Sequence, residues 1–158
     1  PKLVFPDIAA KPVCWMDRDG SVVNGECYWI KADHDGEEDL LWLALAVANS
    51  SFIGHYYDHR FHNKLYAGRR RFVTQYVEAF PLPDPASSDA RAMIDMAKAI
   101  HALTPSAEAD RLATQLDDRV GQGFGGERRG AHAATPASLN ATTRLSCAAT
   151  PRPAPSMR

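Results

Sequence analysis

Hydrophobic and polar positions change rhythm several times along this chain, and each change marks an element. Residues 13–31 carry β-formers broken at Asp19-Gly20 and Asn24-Gly25, two strong turn signals, which predicts a small antiparallel hairpin or meander. Gly36-Glu37-Glu38-Asp39 then sets acids where the start of a helix favours negative charge, and Leu40 to Ala48 follows almost without a polar residue. A helix with no polar face has to be buried centrally. Asn49-Ser50-Ser51 can cap a second helix running from Phe52 to about Arg60. Tyr66-Ala67-Gly68 reads as a turn, residues 70–73 as a short extended piece, and 74–79 as one or two helical turns. The prolines at 81, 83 and 85 stop that segment, because proline lacks an amide donor and disfavours helix in the residue before it.

Two amphipathic helices are predicted next. The first, capped by Ser87 or Ser88, repeats apolar residues at Met93, Met96/Ala97, Ile100 and Leu103. The second takes Thr104 as its cap and Pro105 as its first residue, with Ala109, Leu112, Leu116 and Val120 on one side. Glycines at 121, 123, 125 and 126 are expected to end the ordered part. Beyond them Ala, Thr, Ser, Pro and Arg dominate, a composition that buries too little surface to offset its ordering entropy, so residues 126–158 are expected to be a disordered tail. The pattern therefore predicts an α+β domain over residues 1–125, with a small N-terminal antiparallel β portion followed by mostly helical segments. With 158 residues and 45% apolar composition, one domain with a real core is expected.

Charge changes this picture more than composition does. The net charge is −1, yet residues 1–54 hold four Lys/Arg against nine Asp/Glu, residues 55–73 five against one, residues 74–120 four against eight, and residues 121–158 five against one. The folded part thus carries one strongly basic stretch, HYYDHRFHNKLYAGRRRF from His55 to Phe72. In it Arg60, Lys64, Arg69, Arg70 and Arg71 face the single acid Asp58 among five aromatic residues. Local Lys/Arg stripes displace counterions from phosphates even on a neutral protein, and interleaved rings can stack on exposed bases. The alternative is a solvated basic loop whose aromatics turn into the core.

Other chemistry is poorly supported. His55, His59 and His62 recur at helical spacing and the first two match HxxxH, but the metalloprotease pattern needs Glu after the first His, where Tyr56 stands; no metal site is expected. Gly121-Gln122-Gly123-Phe124-Gly125-Gly126 formally matches GxGxxG without the strand before it and the helix after it that a nucleotide fingerprint requires. The N-terminal acids, from Asp17 to Asp39, stand at no catalytic spacing and read as turn-forming and capping residues. Three widely spaced cysteines, Cys14, Cys27 and Cys147, fit neither a disulfide framework nor a zinc site and point to a reducing cytoplasm; apolar packing is the expected role of Cys14 and Cys27. The longest apolar run is far below the ~20 residues that cross a bilayer, so no membrane partner is expected.

At residues 41–83 a larger pattern emerges: LWLALAVANSSFIGHYY, then Gly68-Arg69-Arg70-Arg71-Phe72, then QYVEAFPLP. This resembles the C-terminal target-recognition region of Eco57I/TaqI-like adenine-specific DNA methyltransferases of restriction-modification systems. There a Leu-rich helix ending in Asn-Ser precedes a Gly-Arg-x-Arg-Phe-like element and a Tyr-Leu-Glu-x-Leu-Pro-Ile-Pro-like exit. Cys27-Tyr28-Trp29-Ile30 resembles the strand entering that helix, so the resemblance covers about residues 13–120.

The resemblance implies a module that positions a methyltransferase on double-stranded DNA. It implies Arg69 and Arg71 at the DNA, Arg60, Lys64 and Arg70 at backbone phosphates, Tyr66 stacking or positioning, and Gly68 allowing close backbone approach. It also marks a departure, since the Asn-Pro-Pro-Tyr-type motif and the glycine-rich cofactor strand of such enzymes are absent here. No catalytic residue and no cofactor is therefore expected in this chain, which reads as a fragment inactive alone. S-adenosylmethionine would belong to a catalytic domain fused upstream or supplied in trans. The rival is a protein-interaction or scaffold domain whose basic stripe meets an acidic partner.

Overall fold

Leu3, Val4 and Phe5 are all buried although they follow one another, which is the signature of a strand covered on both faces. In the computed structural model, which describes residues 1–23, 25–32, 34, 37–125, 137–138 and 145–149 (the last two stretches by backbone alone), they form β1 (Lys2–Pro6). β1 pairs antiparallel with both β3 (Trp15–Asp17) and β4 (Cys27–Ala32), and β4 pairs in turn with β8 (Leu145–Ala149), giving the order β3-β1-β4-β8. The hairpin or meander expected within residues 13–31 is thus split, because β1 lies between its two arms. Cys14 is buried and Cys27 half-buried.

Register places Leu3 opposite Met16 on one side and Ile30 on the other, so these three buried residues make one row on the sheet's inner face. α1 (Glu38–Ala48) packs against that row. Every residue from Leu40 to Ala48 is buried, as an all-apolar helix demands, while its first turn carries the half-buried Glu38 and the exposed Asp39. α4 (Ser88–Leu103) and α5 (Ala107–Gly125) form a helical hairpin that covers the far side of α1. The result is three layers, sheet, central helix and helical hairpin, and the α+β fold expected from the sequence.

α2 (Ser51–Phe61) starts at Ser50, whose hydroxyl accepts from Ile53 N at 3.3 Å and donates to Val47 O at 2.7 Å. Three short elements follow: β5 (Arg70–Arg71), paired with β2 (Ile8–Ala9), then α3 (Thr74–Val77), and β6 (Pro81–Leu82), paired with β7 (Ala137–Ser138). The cap of α5 is not Thr104 as expected. Ser106 Oγ accepts from Ala109 N at 3.1 Å, while the Thr104 hydroxyl turns back to Ile100 O at 2.8 Å on α4. Nor do the glycines stop α5, which continues through Gly121 and Gly123 to Gly125 because Val120 is fully buried and Phe124 stacks on Phe52 of α2 at 4.4 Å. The expected disordered tail lies outside the described residues, apart from the backbone of β7 and β8.

Candidate nucleic-acid interface

The basic stretch folds as the end of α2, a tight hairpin and β5. Tyr66–Gly68 form a 3-10 turn in which Ala67 (φ 56°) and Gly68 (φ 71°) are left-handed, the geometry that reverses the chain within three residues. Leu65 N donates to Arg69 O at 2.7 Å, Arg69 N donates to Tyr66 O at 3.3 Å, and Lys64 and Arg70 form an antiparallel bridge below the tip. Residues 64–70 are therefore a two-stranded ribbon with Tyr66, Ala67, Gly68 and Arg69 at its exposed end.

The ribbon stands on a dense root. Phe72 N donates to Asp7 O at 2.6 Å, extending the pairing of Ile8 with Arg71 and Ala9 with Arg70. Two side chains, the buried Tyr57 hydroxyl and the Asn63 amide at 3.1 Å, donate to Arg71 O. Burial pushes the Tyr57 phenol up to about 12, so it stays a donor at any working pH. Arg70 closes the root: its Nε and Nη2 grip Asp58 Oδ1 and Oδ2 at 2.5 and 2.6 Å, and its Nη1 donates to Ala10 O and to Gly68 O. This bidentate fork, seconded by Lys64 Nζ at 3.1 Å from Asp58 Oδ2, holds the Asp58 carboxyl at about 2.

The residues singled out from sequence now separate into two sets. Arg60, Lys64, Tyr66, Gly68, Arg69 and Arg71 are exposed around the ribbon and the end of α2. Arg60 sits over the Phe61 ring at 5.7 Å, and Arg71 Nε lies 3.4 Å from Asp7 Oδ1 with half its side chain in solvent. Arg70 is different: only 17% of its side chain is exposed, and its donors are already engaged inside the protein. The aromatics divide too. Tyr57 and Phe72 are buried, Tyr56 and Phe61 are half-buried, and Phe61 stacks on Tyr76 at 4.5 Å, so four of the five rings belong to the core side; Tyr66, 82% exposed, is the exception.

Sequence reasoning missed Asp7, Asp58 and Ala10 as the partners that fix the ribbon. Asp58 was visible as the lone acid of a basic stretch, whereas the 60-residue separation of Ala10 from Arg70 left no local trace. A hollow of about 320 Å³ between β3, α1 and the α4–α5 hairpin is lined by Cys14, Trp15, Leu45, Ile100 and Leu116 among others and by none of the basic-ribbon residues. His55 and His59 lie exposed along α2 and His62 caps its end in a left-handed conformation (φ 50°). Among the described residues no group of three or more His, Cys, Asp or Glu is gathered to hold a metal ion, and no helix is long and apolar enough to cross a membrane.

The ribbon of residues 64–70 is exposed and cationic, stands on a well-bonded root, and is set in an α+β scaffold with a buried Leu-rich helix. Over 129 residues the chain is 35% identical to the Type II methyltransferase M.BanIII of Aneurinibacillus aneurinilyticus, a match that covers 81% of this chain and 22% of that protein. The chain thus spans about a fifth of the length of that protein. No family model matches it.

Proposed function

We propose that this chain is a DNA-binding target-recognition module of a site-specific adenine methyltransferase of a restriction-modification system. It orients duplex DNA while a separate domain, fused upstream or acting in trans, binds S-adenosylmethionine and transfers the methyl group. The observation that carries the reading is the ribbon of residues 64–70. It presents Arg69, Tyr66 and Lys64 to solvent, with Arg71 and Arg60 beside them, on a root too well bonded to be a loose loop. An Arg fork can take a phosphate or the O6/N7 edge of guanine, and a groove of double-helical DNA admits a two-stranded ribbon. The relative's name supports the methyltransferase setting; adenine as the target rests on the family resemblance. Arg70 supports the ribbon in this reading and leaves the DNA contacts to its neighbours.

Titration of the chain with random-sequence duplex DNA at several salt concentrations tests the proposal. Salt-sensitive binding is expected, with Arg69→Ala and Arg71→Ala each flattening the dependence of log K on log salt by about 0.9 per lost phosphate contact. A folded protein that does not bind, or variants with unaltered slopes, would defeat it. Binding to an acidic protein partner that duplex DNA does not compete away would favour the scaffold alternative.

A further inference from the structure

β3 is the outer strand of its sheet, and among the described residues no strand pairs with its other edge. The phase of the ladder fixes what that edge presents. Asp7 N donates to Glu26 O at 2.8 Å, so the odd residues of β1 turn their peptide groups toward β4 and the even ones, Lys2 and Val4, bond to Asp17 and Trp15. Cys14 and Met16 therefore turn their N–H and C=O groups outward. At Cys14 that pair is taken by the Asn49 carboxamide, which accepts from Cys14 N at 2.7 Å and donates to Cys14 O at 2.9 Å, as a neighbouring strand would. At Met16 the pair has no hydrogen-bond partner among the described residues, although the residue is only 6% exposed. Met16 lines the hollow of about 320 Å³, whose apolar walls are Leu45 and Ala46 of α1, Ile100 of α4, and Ala113 and Leu116 of α5. The polar groups of the lining are engaged inside the protein: Asn49 holds Cys14, Ser50 caps α2, the Thr104 hydroxyl bonds Ile100 O, Asp117 Oδ1 accepts from Ser51 N at 2.6 Å, and the His101 ring lies edge-on to Trp42. A polar small molecule finds those groups already occupied, and a nucleic acid meets a segment, residues 74–120, with eight acids against four bases. An extended peptide satisfies an outward N–H and C=O together while filling an apolar trough.

We propose that the β3 edge is a docking site for one extended apolar segment of the methyltransferase polypeptide outside this chain, added as a further strand beside Met16 with alternate side chains in the hollow. The matched region is 22% of M.BanIII, so a protein of that kind has about four-fifths of its length from which to supply the segment. Val13 and Trp15, both exposed, extend the apolar surface along the same edge. The added strand takes up at Met16 the pairing that Asn49 begins at Cys14: main-chain hydrogen bonds hold it, and the shape of the hollow selects which side chains it carries. The inference rests on the methyltransferase setting of the reading above and is independent of its DNA contact.

The test titrates the full chain with labelled, overlapping synthetic peptides that tile the part of M.BanIII outside the matched region, using anisotropy for affinity and hydrogen exchange for the Met16 amide. One segment with apolar residues at alternate positions is expected to bind saturably and to slow exchange at Met16. Methylating every second backbone nitrogen of that peptide separates strand addition from plain apolar contact: one phase should weaken binding about tenfold or more, and the other should leave it within about twofold. Ala113 is exposed, so Ala113→Trp should put a ring over the hollow and abolish peptide binding with thermal unfolding unchanged. Absence of binding by every peptide, equal sensitivity to methylation in both phases, or binding that leaves Met16 exchange unaltered overturns the docking site, while the chain's titration with duplex DNA, measured separately, still decides the recognition reading. A folded chain that takes the peptide but no DNA overturns that reading and leaves the docking site standing.

Discussion

At the residue scale the decisive pair is Arg70 and Asp58. Two parallel hydrogen bonds, each to an ionised group and each partly screened from water, are worth more than an exposed ion pair, and they tie α2 to the ribbon. Asp58→Asn keeps the shape and removes the charge, and it is expected to cost about 1–2 kcal/mol in urea unfolding at pH 7. Arg70→Lys should not restore the fork, since an ammonium cannot span both carboxylate oxygens. The pH dependence has a definite sign. Asp58 titrates near 2 when folded and near 3.9 when unfolded, so its stabilisation is complete above about pH 4 and is lost as pH falls toward 2. The acid limb of a stability curve between pH 4 and 2 should therefore be shallower in Asp58→Asn than in wild type. It should not vanish, because Asp17 is likewise held at about 2 by Lys2. An acid limb identical in the two proteins would show that the fork is not formed in solution.

At the scale of elements, α5 shows tertiary packing overriding local preference. Its glycines read as a stop because each costs roughly 1 kcal/mol in a helix interior. The helix persists because Leu116, Val120 and Phe124 bury one face against the rest of the domain. Replacing these glycines separates the two effects. A Cβ at Gly121 meets nothing within 4 Å, so Gly121→Ala should stabilise by close to the full ~1 kcal/mol; a Cβ at Gly123 would lie 3.2 Å from Met93 Cε, so Gly123→Ala should gain less, the flexible Met93 moving aside. Thermal unfolding of the two variants checks the order, and a larger gain at Gly123 would contradict it. The same contrast explains what could be read in advance. α1, α2 and the turn at Tyr66–Gly68 were legible because their signals are local: an unbroken apolar run, a Ser cap, a small-residue reversal. The insertion of β1 between β3 and β4, and the carbonyl of Ala10 beneath Arg70, depend on segments far apart in the chain and left no periodicity to find.

At the scale of the whole molecule, charge segregation sets a ceiling on how the protein can hold a polyanion. The segments on either side of the ribbon each carry at least twice as many acids as bases, so a duplex gains electrostatic energy at the ribbon and meets an opposing balance of charge in the rest of residues 1–120. Within the basic stretch five cations are present, and the fold has committed one of them, Arg70, to Asp58. Arg60, Lys64, Arg69 and Arg71 remain, and at about 0.9 per neutralised phosphate a single patch of four gives a slope of log K against log salt no steeper than about −3.6. Two of those four already face carboxylates, Lys64 at Asp58 and Arg71 at Asp7, so releasing them offsets part of what phosphate contact contributes and a measured value nearer −2 to −3 is expected. The number also discriminates between arrangements of the molecule. Arg70→Ala should lower affinity by loosening the ribbon yet remove no released counterion, leaving the slope where it was. Loss of a full unit in that variant would return Arg70 to the phosphates, and a wild-type slope well beyond −4 would mean that cations outside the basic stretch, among them the five arginines after residue 120, bind the duplex alongside the ribbon.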